Sequence, residues 1–240
     1  MISGMVEIRI RNNSAAIGYA AQELGRYMSK LAMKAKCDKP AVIGIISLGL
    51  FCDFGLNPVF DIPDMNLDDA VCIEVNNGSG YIAGSNPRCV LSGVYRYLSE
   101  LGCRWVRPGN DGEYLPTVNP YNISVSVCEK SSYRHRAICI EGATSLENVL
   151  EIIDWMPKAY FSGFFMQFRE GYTFFNRWYS HQGNPLKKKK EPIDVETARE
   201  FTGIIEKELA RRGLLYHAVG HRSEERRVGK ECRSRWSPYH

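Results

Sequence analysis

No stretch of this 240-residue chain holds the roughly twenty consecutive apolar side chains needed to cross a bilayer, so a membrane-spanning helix is excluded. The opening MISGMVEIRI has neither the charged start nor the apolar centre of about 7–15 residues that marks a secretory signal, which makes a cytoplasmic location the expectation. The eight cysteines include no Cys-x-x-Cys pair. Cys37, Cys52, Cys72, Cys89, Cys103, Cys128 and Cys139 stand apart, several in apolar runs, and read as small reduced thiols rather than a disulfide frame or a zinc site. No metal and no cofactor is expected. No strand is followed by Gly-x-Gly-x-x-Gly and no Gly-x-x-x-x-Gly-Lys-Ser/Thr occurs, so the phosphate loops of nucleotide-binding folds are missing.

Net charge is also scarce. The chain carries 31 basic and 27 acidic side chains, net +4, and Arg222 to His240 alone holds six basic and three acidic ones. That tail, RSEERRVGKECRSRWSPYH, has neither strand alternation nor a helical stripe. It resembles, residue for residue, the translation of a common short-read sequencing adapter beginning AGATCGGAAGAGC. The expectation is therefore that residues 222–240 are not native and that the natural reading frame continues past His221. Residues 1–221 carry 25 basic against 24 acidic groups, net +1, which gives no case for nucleic acid or an anionic membrane as partner. The run Lys187 to Lys190, flanked by Asn184, Pro185 and Pro192, reads as a solvated loop.

What is present divides into two patterns. In the first, Val6, Ile8 and Ile10 alternate as in a half-buried strand, and Ile17, Ala20, Ala21, Leu24, Tyr27, Met28 and Leu31 recur at helical spacing behind Ser14. AVIGIISLGL suits a buried strand, and DAVCIEVNNGSGYIAGS a hairpin turning through Asn76 to Gly80. NPRCVLSGVYRYLSELG predicts a second helix with Pro87 in its first turn and Gly102 at its stop, and CRWVRPG a short strand. After a seam near ISVSVCEKSSYRHRA, the order becomes strand (AICIEG), helix (SLENVLEIIDWMPKAY), strand (GFFMQF), long loop, helix (DVETAREFTGIIEKELARRG) and strand (LLYHAV). Alternating β and α with near-continuous apolar strands predicts a parallel sheet with helical crossovers. Three strands leave open whether that sheet is doubly wound or begins an eight-fold barrel.

The Gly80-Tyr81-Ile82 hairpin strand, Gly84, the Gly-Val-Tyr start at Gly93, Leu101-Gly102-Cys103-Arg104-Trp105 and the closing Pro116 form an ordered set. It resembles the accessory domain that precedes the barrel in β-hexosaminidases and α-glucuronidases, over most of residues 5 to 117. RHRAICIEG, with Arg136 at its start, is similar to the first strand of that family's TIM barrel, and RRGLLYHAVGH to its third. The resemblance implies an α+β accessory domain over residues 1–128, a truncated α/β (TIM-barrel) segment of three βα units over 129–221, and a bacterial-type glycoside hydrolase as the complete protein. It also implies that Glu141, Gln167, Arg169 and His221, at strand carboxyl ends, face a carbohydrate substrate.

Two departures count against hexosaminidase specificity. Thr144 stands where hexosaminidases carry a sugar-binding arginine, and Phe165 and Gln167 where they carry a His-x-His pair. A non-catalytic carbohydrate-binding or surface-assembly protein on the same fold is the alternative. The family's catalytic acid follows the fourth barrel strand, so no catalytic residue is assigned and the 240-residue chain is expected to be inactive. Each site residue also has a plainer reading: Glu141 as a cap of the following helix, Arg169 and Glu170 as a solvated pair, His217 as a core histidine. The aromatic loop GYTFFNRWYSH could line a stacking wall for sugar rings or simply pack inward. Neither the sugar nor the oligomeric state is legible.

Overall fold

In the computed structural model, residues 2–3, 6–37, 44–140, 142, 145–166, 171–176 and 193–218 are described. Six strands of the first half form one mixed sheet with strand order β1-β2-β3-β5-β4-β8. Its members are β1 (Ile2–Ser3), β2 (Val6–Ile10), β3 (Gly44–Leu50), β4 (Ala70–Asn76), β5 (Ser79–Gly84) and β8 (Val125–Lys130). β2, β3 and β5 run parallel, because the helix α1 (Ala15–Lys34) and then β4 intervene between them. β4 pairs antiparallel with both β5 and β8. The β4–β5 hairpin turns through Asn77 and Gly78 at φ 47° and 78°, the paired left-handed residues of a type I′ turn.

α1 and α2 (Pro87–Glu100) cover one face of this sheet, and the periodicity that predicts them is the stripe they bury. Ile17, Leu24, Tyr27, Met28 and Leu31 from α1 meet Val90, Val94, Tyr95 and Leu98 from α2 over Ile46, Leu48, Ile73, Val75 and Ile82. Ser14 takes the N-cap place of α1 without a side-chain cap bond, whereas Asn86 caps α2 by accepting from the Cys89 amide at 3.2 Å. α2 lies unusually close to the strands. A Cβ at Gly84 would meet the Val90 nitrogen at 2.7 Å, and one at Gly93 would meet Ile82 Cγ2 at 2.8 Å, so both glycines are required by backbone approach. On the opposite face a smaller cluster, Phe51, Ala70, Cys72 and Ala83, is roofed by Phe54, Leu56, Phe60 and Ile62 of the segment between β3 and β4.

β6 (Arg104–Trp105) and β7 (Glu113–Tyr114) form a two-stranded ribbon at the edge of the helices. The chain then returns through β8, which runs two residues past the expected boundary at 128, to a second sheet of order β11-β10-β9. Here β9 (Ala137–Ile140), β10 (Gly163–Met166) and β11 (Leu215–Ala218) are all parallel, as the alternating pattern predicts. α3 (Leu146–Trp155), capped by Ser145 through the Asn148 amide at 3.1 Å, and α5 (Val195–Arg211), capped by Asp194 through the Thr197 amide at 2.7 Å, connect them. Both sheets are open, and no closed barrel exists among the described residues.

Two expectations need correction. Cys72 and Cys128 are joined by a disulfide, not held as separate thiols, because the β4–β8 register sets them directly opposite each other with Cα atoms 4.1 Å apart. Gly171–Asn176, read as loop, is a short helix, α4. Its Phe174 and Phe175 are buried, with Phe175 edge-on to Phe201 of α5 at 5.3 Å, so these two aromatic residues pack inward instead of lining a wall.

Candidate functional site

The second sheet has one covered face and one open face. Ile138, Ile140, Phe164, Met166 and Tyr216 point toward α3, α4 and α5 and join the apolar core with Val149, Ile153, Phe174, Ile205 and Leu209. Side chains alternate along a strand, so Ala137, Cys139, Gly163, Phe165, Leu215 and His217 take the other face. A Cβ placed on Gly163 would contact Ala137 Cβ and His217 Cδ2, both at 3.5 Å, which shows that these residues share that side. Among the described residues no element covers it: Ala137 and Cys139 are exposed, Phe165 and His217 half-buried.

The parallel register brings the three carboxyl ends into one row, Ile140 beside Met166 beside Ala218. Glu141 and Gln167 follow that row directly in sequence, with Arg169 two residues further and His221 three beyond Ala218. All four lie outside the described residues, as do Thr144 and Glu170. His217 is described. It sits on the open face in edge-on contact with His135, ring centroids 6.2 Å apart. His217 and His221 are four residues apart, a spacing that aligns two ligands on a helix, but His217 belongs to a strand and His221 lies outside the described residues.

At the other end of these strands, two charge clusters hold the sheet to the first half of the chain. Asp69 is buried and accepts from Arg88 Nη2 and Arg136 Nη2, both at 2.6 Å, and from Asn86 Nδ2 at 3.0 Å. Burial opposes its charge, but the Arg88 guanidinium, with Asn86 and Arg136, outweighs that and holds the carboxyl below its ordinary value. Arg136, predicted only as the start of a strand, therefore anchors β9, and it also donates to the Tyr160 carbonyl at 2.8 Å. Beside it Arg134 grips Asp68 with two bonds of 2.8 and 2.9 Å; those bonds, with the Asp64 amide, bring Asp68 down to about 2.

The second cluster centres on Asp154 of α3. It accepts from Tyr19 Oη of α1 at 3.2 Å, from Arg212 Nη2 at 3.0 Å and from Lys158. Burial again opposes the charge, and Lys158 with Arg212 lowers the carboxyl below its usual range. Arg212 also donates to Tyr19 Oη at 3.0 Å and lies over its ring at 4.6 Å. No sequence signal marked Arg212.

Cavities follow this seam. One of about 140 Å³ is lined by Asp69, Cys89, Ser92, Arg96, Arg136 and Tyr160, and one of about 250 Å³ lies between β6, β7 and α3. A wider recess of about 410 Å³ opens beside Phe51 and Phe60. No helix among the described residues is long and apolar enough to cross a membrane.

No protein-family model matches the chain, and no curated protein matches it. Among solved structures, a GH138 enzyme targeting pectin rhamnogalacturonan II is similar, at 13% identity and TM-score 0.51, over 93% of this chain and 26% of that one. The GH20 β-N-acetylhexosaminidase from Streptomyces coelicolor A3(2) also matches, at 16% identity and TM-score 0.48, over 90% of this chain and 42% of that one. The chain thus shares its fold with a glycoside hydrolase and spans about a quarter of the GH138 enzyme's length.

Proposed function

We propose that the chain is the amino-terminal part of a glycoside hydrolase acting on glycans or polysaccharides. The observation that carries this reading is the open face of the second sheet. Parallel sheets are buried on both sides, and here, among the described residues, only the helical side is covered. Further βα units closing a (β/α)₈ barrel would bury Ala137, Cys139, Phe165 and His217 in its interior. The fold shared with the GH138 enzyme supports the same assignment. On this reading residues 1–128 are the accessory domain, 129–221 the first three βα units, and Arg222 to His240 is not native sequence.

A barrel enzyme works at the carboxyl ends of its strands, where Glu141, Gln167, Arg169 and His221 would make one wall of a sugar site. One wall can bind hydroxyls. It cannot both protonate a leaving oxygen and stabilise the oxocarbenium-like centre from the opposite side, which requires a second group across the scissile bond. Positioned acid–base help contributes roughly 10²–10⁴-fold, so without it the 240-residue chain should hydrolyse aryl hexosaminides and glucuronides no faster than background. In the longer protein, obtained by reading source DNA across the His221 codon, replacing the acid after strand four should abolish turnover. Glu141→Gln should mainly raise KM. Turnover by the purified 240-residue chain, unchanged in Glu141→Gln, would refute the assignment. Phe165 on the open face, where hexosaminidases carry a histidine, favours one second reading: a non-catalytic glycan binder. A gene lacking a carboxylate after strand four would decide for it.

A further inference from the structure

We propose a saccharide subsite in the seam cavity of about 250 Å³ between β6, β7 and α3, remote from the strand ends. α3 carries the chain back from the carboxyl end of β9 to the amino end of β10, so its last turn, which lines this cavity, lies at the far end of the sheet from Glu141. Cavities where two packed units meet are a common place for small-ligand sites.

The lining specifies the ligand chemistry. Trp105 and Trp155 both border the cavity, and both indole N–H groups are already committed to protein acceptors. Trp155 Nε1 donates to the Trp105 carbonyl at 2.8 Å, and Trp105 Nε1 to Tyr27 Oη at 2.9 Å. What the rings offer a ligand is therefore apolar surface. Glu113 and Asp154 are likewise spoken for, Glu113 by Lys30 at 2.8 Å and Asp154 by Tyr19 and Arg212. Their oxygens are held in place and add negative potential. Glu151 differs. It is exposed on α3, lies beside Gly109, and has no ion-pair partner among the described residues. The lining also holds two cations, both already paired: Arg107 with Asp111 at 2.6 Å and Lys158 with Asp154.

Apolar ring surface next to an available carboxylate and the Asn110 amide suits a neutral pyranose: its C–H face rests on indole while adjacent hydroxyls donate to Glu151. Three carboxylates face two cations in the lining, and the group left without an ion-pair partner among the described residues is the Glu151 carboxylate, which disfavours an anionic sugar. The proposal rests on the glycan-active reading above but not on its catalytic assignment.

The test uses the whole chain, with saturation-transfer NMR and tryptophan fluorescence, and methyl β-D-glucopyranoside, cellobiose and galacturonate as probes. The neutral probes should give saturable signals, with galacturonate at least tenfold weaker. Glu151→Ala should weaken the neutral probes about tenfold, the loss expected for a hydrogen bond to a charged acceptor, without altering the circular dichroism melt. No saturable response to either neutral sugar overturns the site. So does an affinity unchanged in both Glu151→Ala and Asn110→Ala, which would leave the barrel reading untouched. Sugar binding lost in Glu151→Ala alongside an inactive full-length protein would instead keep the subsite and reject the hydrolase.

Discussion

Asp69 shows how much rests on single side chains at the seam. Its carboxylate and the Arg88 guanidinium are each only 7% exposed, and Arg136 reaches the same carboxylate from the other half of the chain. Asp69→Asn keeps the shape but leaves Arg88 as a buried cation without its counter-charge, an imbalance that costs about 3–5 kcal/mol. Urea denaturation should show that loss in midpoint. Arg212→Ala should cost less, about 2 kcal/mol, because its partner Asp154 is 37% exposed and solvent can replace part of the interaction. The same groups set a pH dependence. Asp68, Asp69, Asp154 and Glu113 all have folded-state values below their ordinary 3.8 or 4.5. A lowered value means that the unfolded chain takes up protons first. The stabilisation is therefore complete above about pH 5 and is lost as pH falls through 4 toward 2. Chemical denaturation across pH 2–7 should show a plateau above 5 and a steep decline below 4; stability flat down to pH 2.5 would contradict it.

At the scale of elements, strand position decides cysteine chemistry. Cys139 stands on the open face of β9 and Cys52 on the surface, whereas Cys89 in the first turn of α2 and Cys103 just before β6 are buried. Burial pushes both buried thiols up to about 12, assisted by Asp69 beside Cys89 and Glu113 beside Cys103. With little thiolate and no access, they should react with iodoacetamide at pH 8 at least about 100-fold more slowly than Cys52 and Cys139, as read by peptide mapping. Cys72 and Cys128 should label only after reduction. If Cys139 proved as slow as Cys103, the face of β9 to β11 would have to be covered, and the observation behind the barrel proposal would be gone.

For the whole molecule, the seam decides whether the two halves behave as one. Alternating strands and two amphipathic helices give residues 1–128 a core of their own, so the sequence alone predicts an autonomous first region and a poorly stable second one. Yet Arg134, Arg136, Asp154 and Arg212 all bridge the halves, and Trp155 of α3 packs against the first core. Thermal unfolding should consequently be a single transition. Arg212→Ala combined with Asp69→Asn should split it and open the segment from Ser131 to His135 to trypsin, visible as a stable amino-terminal fragment. Two transitions in the unmutated chain would mean that the bridging pairs carry little coupling.

Periodicity alone placed β2, β3, the β4–β5 hairpin, α1, α2 and the parallel order of β9, β10 and β11, because each of those elements is specified by neighbours within one or two turns of chain. The start of α2 at Pro87 and its stop at Gly102 were legible for the same reason, since each acts on its own backbone. The short apolar run of α4 was not, since its two phenylalanines owe their place to α5. Three further features were decided only by the tertiary structure: the Cys72–Cys128 pairing, the burial of Arg88 and Arg212 against carboxylates far along the chain, and the face of the second sheet left open among the described residues. All three depend on register and packing between segments separated by tens of residues. An ion pair or a cross-strand contact leaves no local pattern in the residues that will make it. Their identity is written in the sequence, but their partnership exists only once the chain has folded.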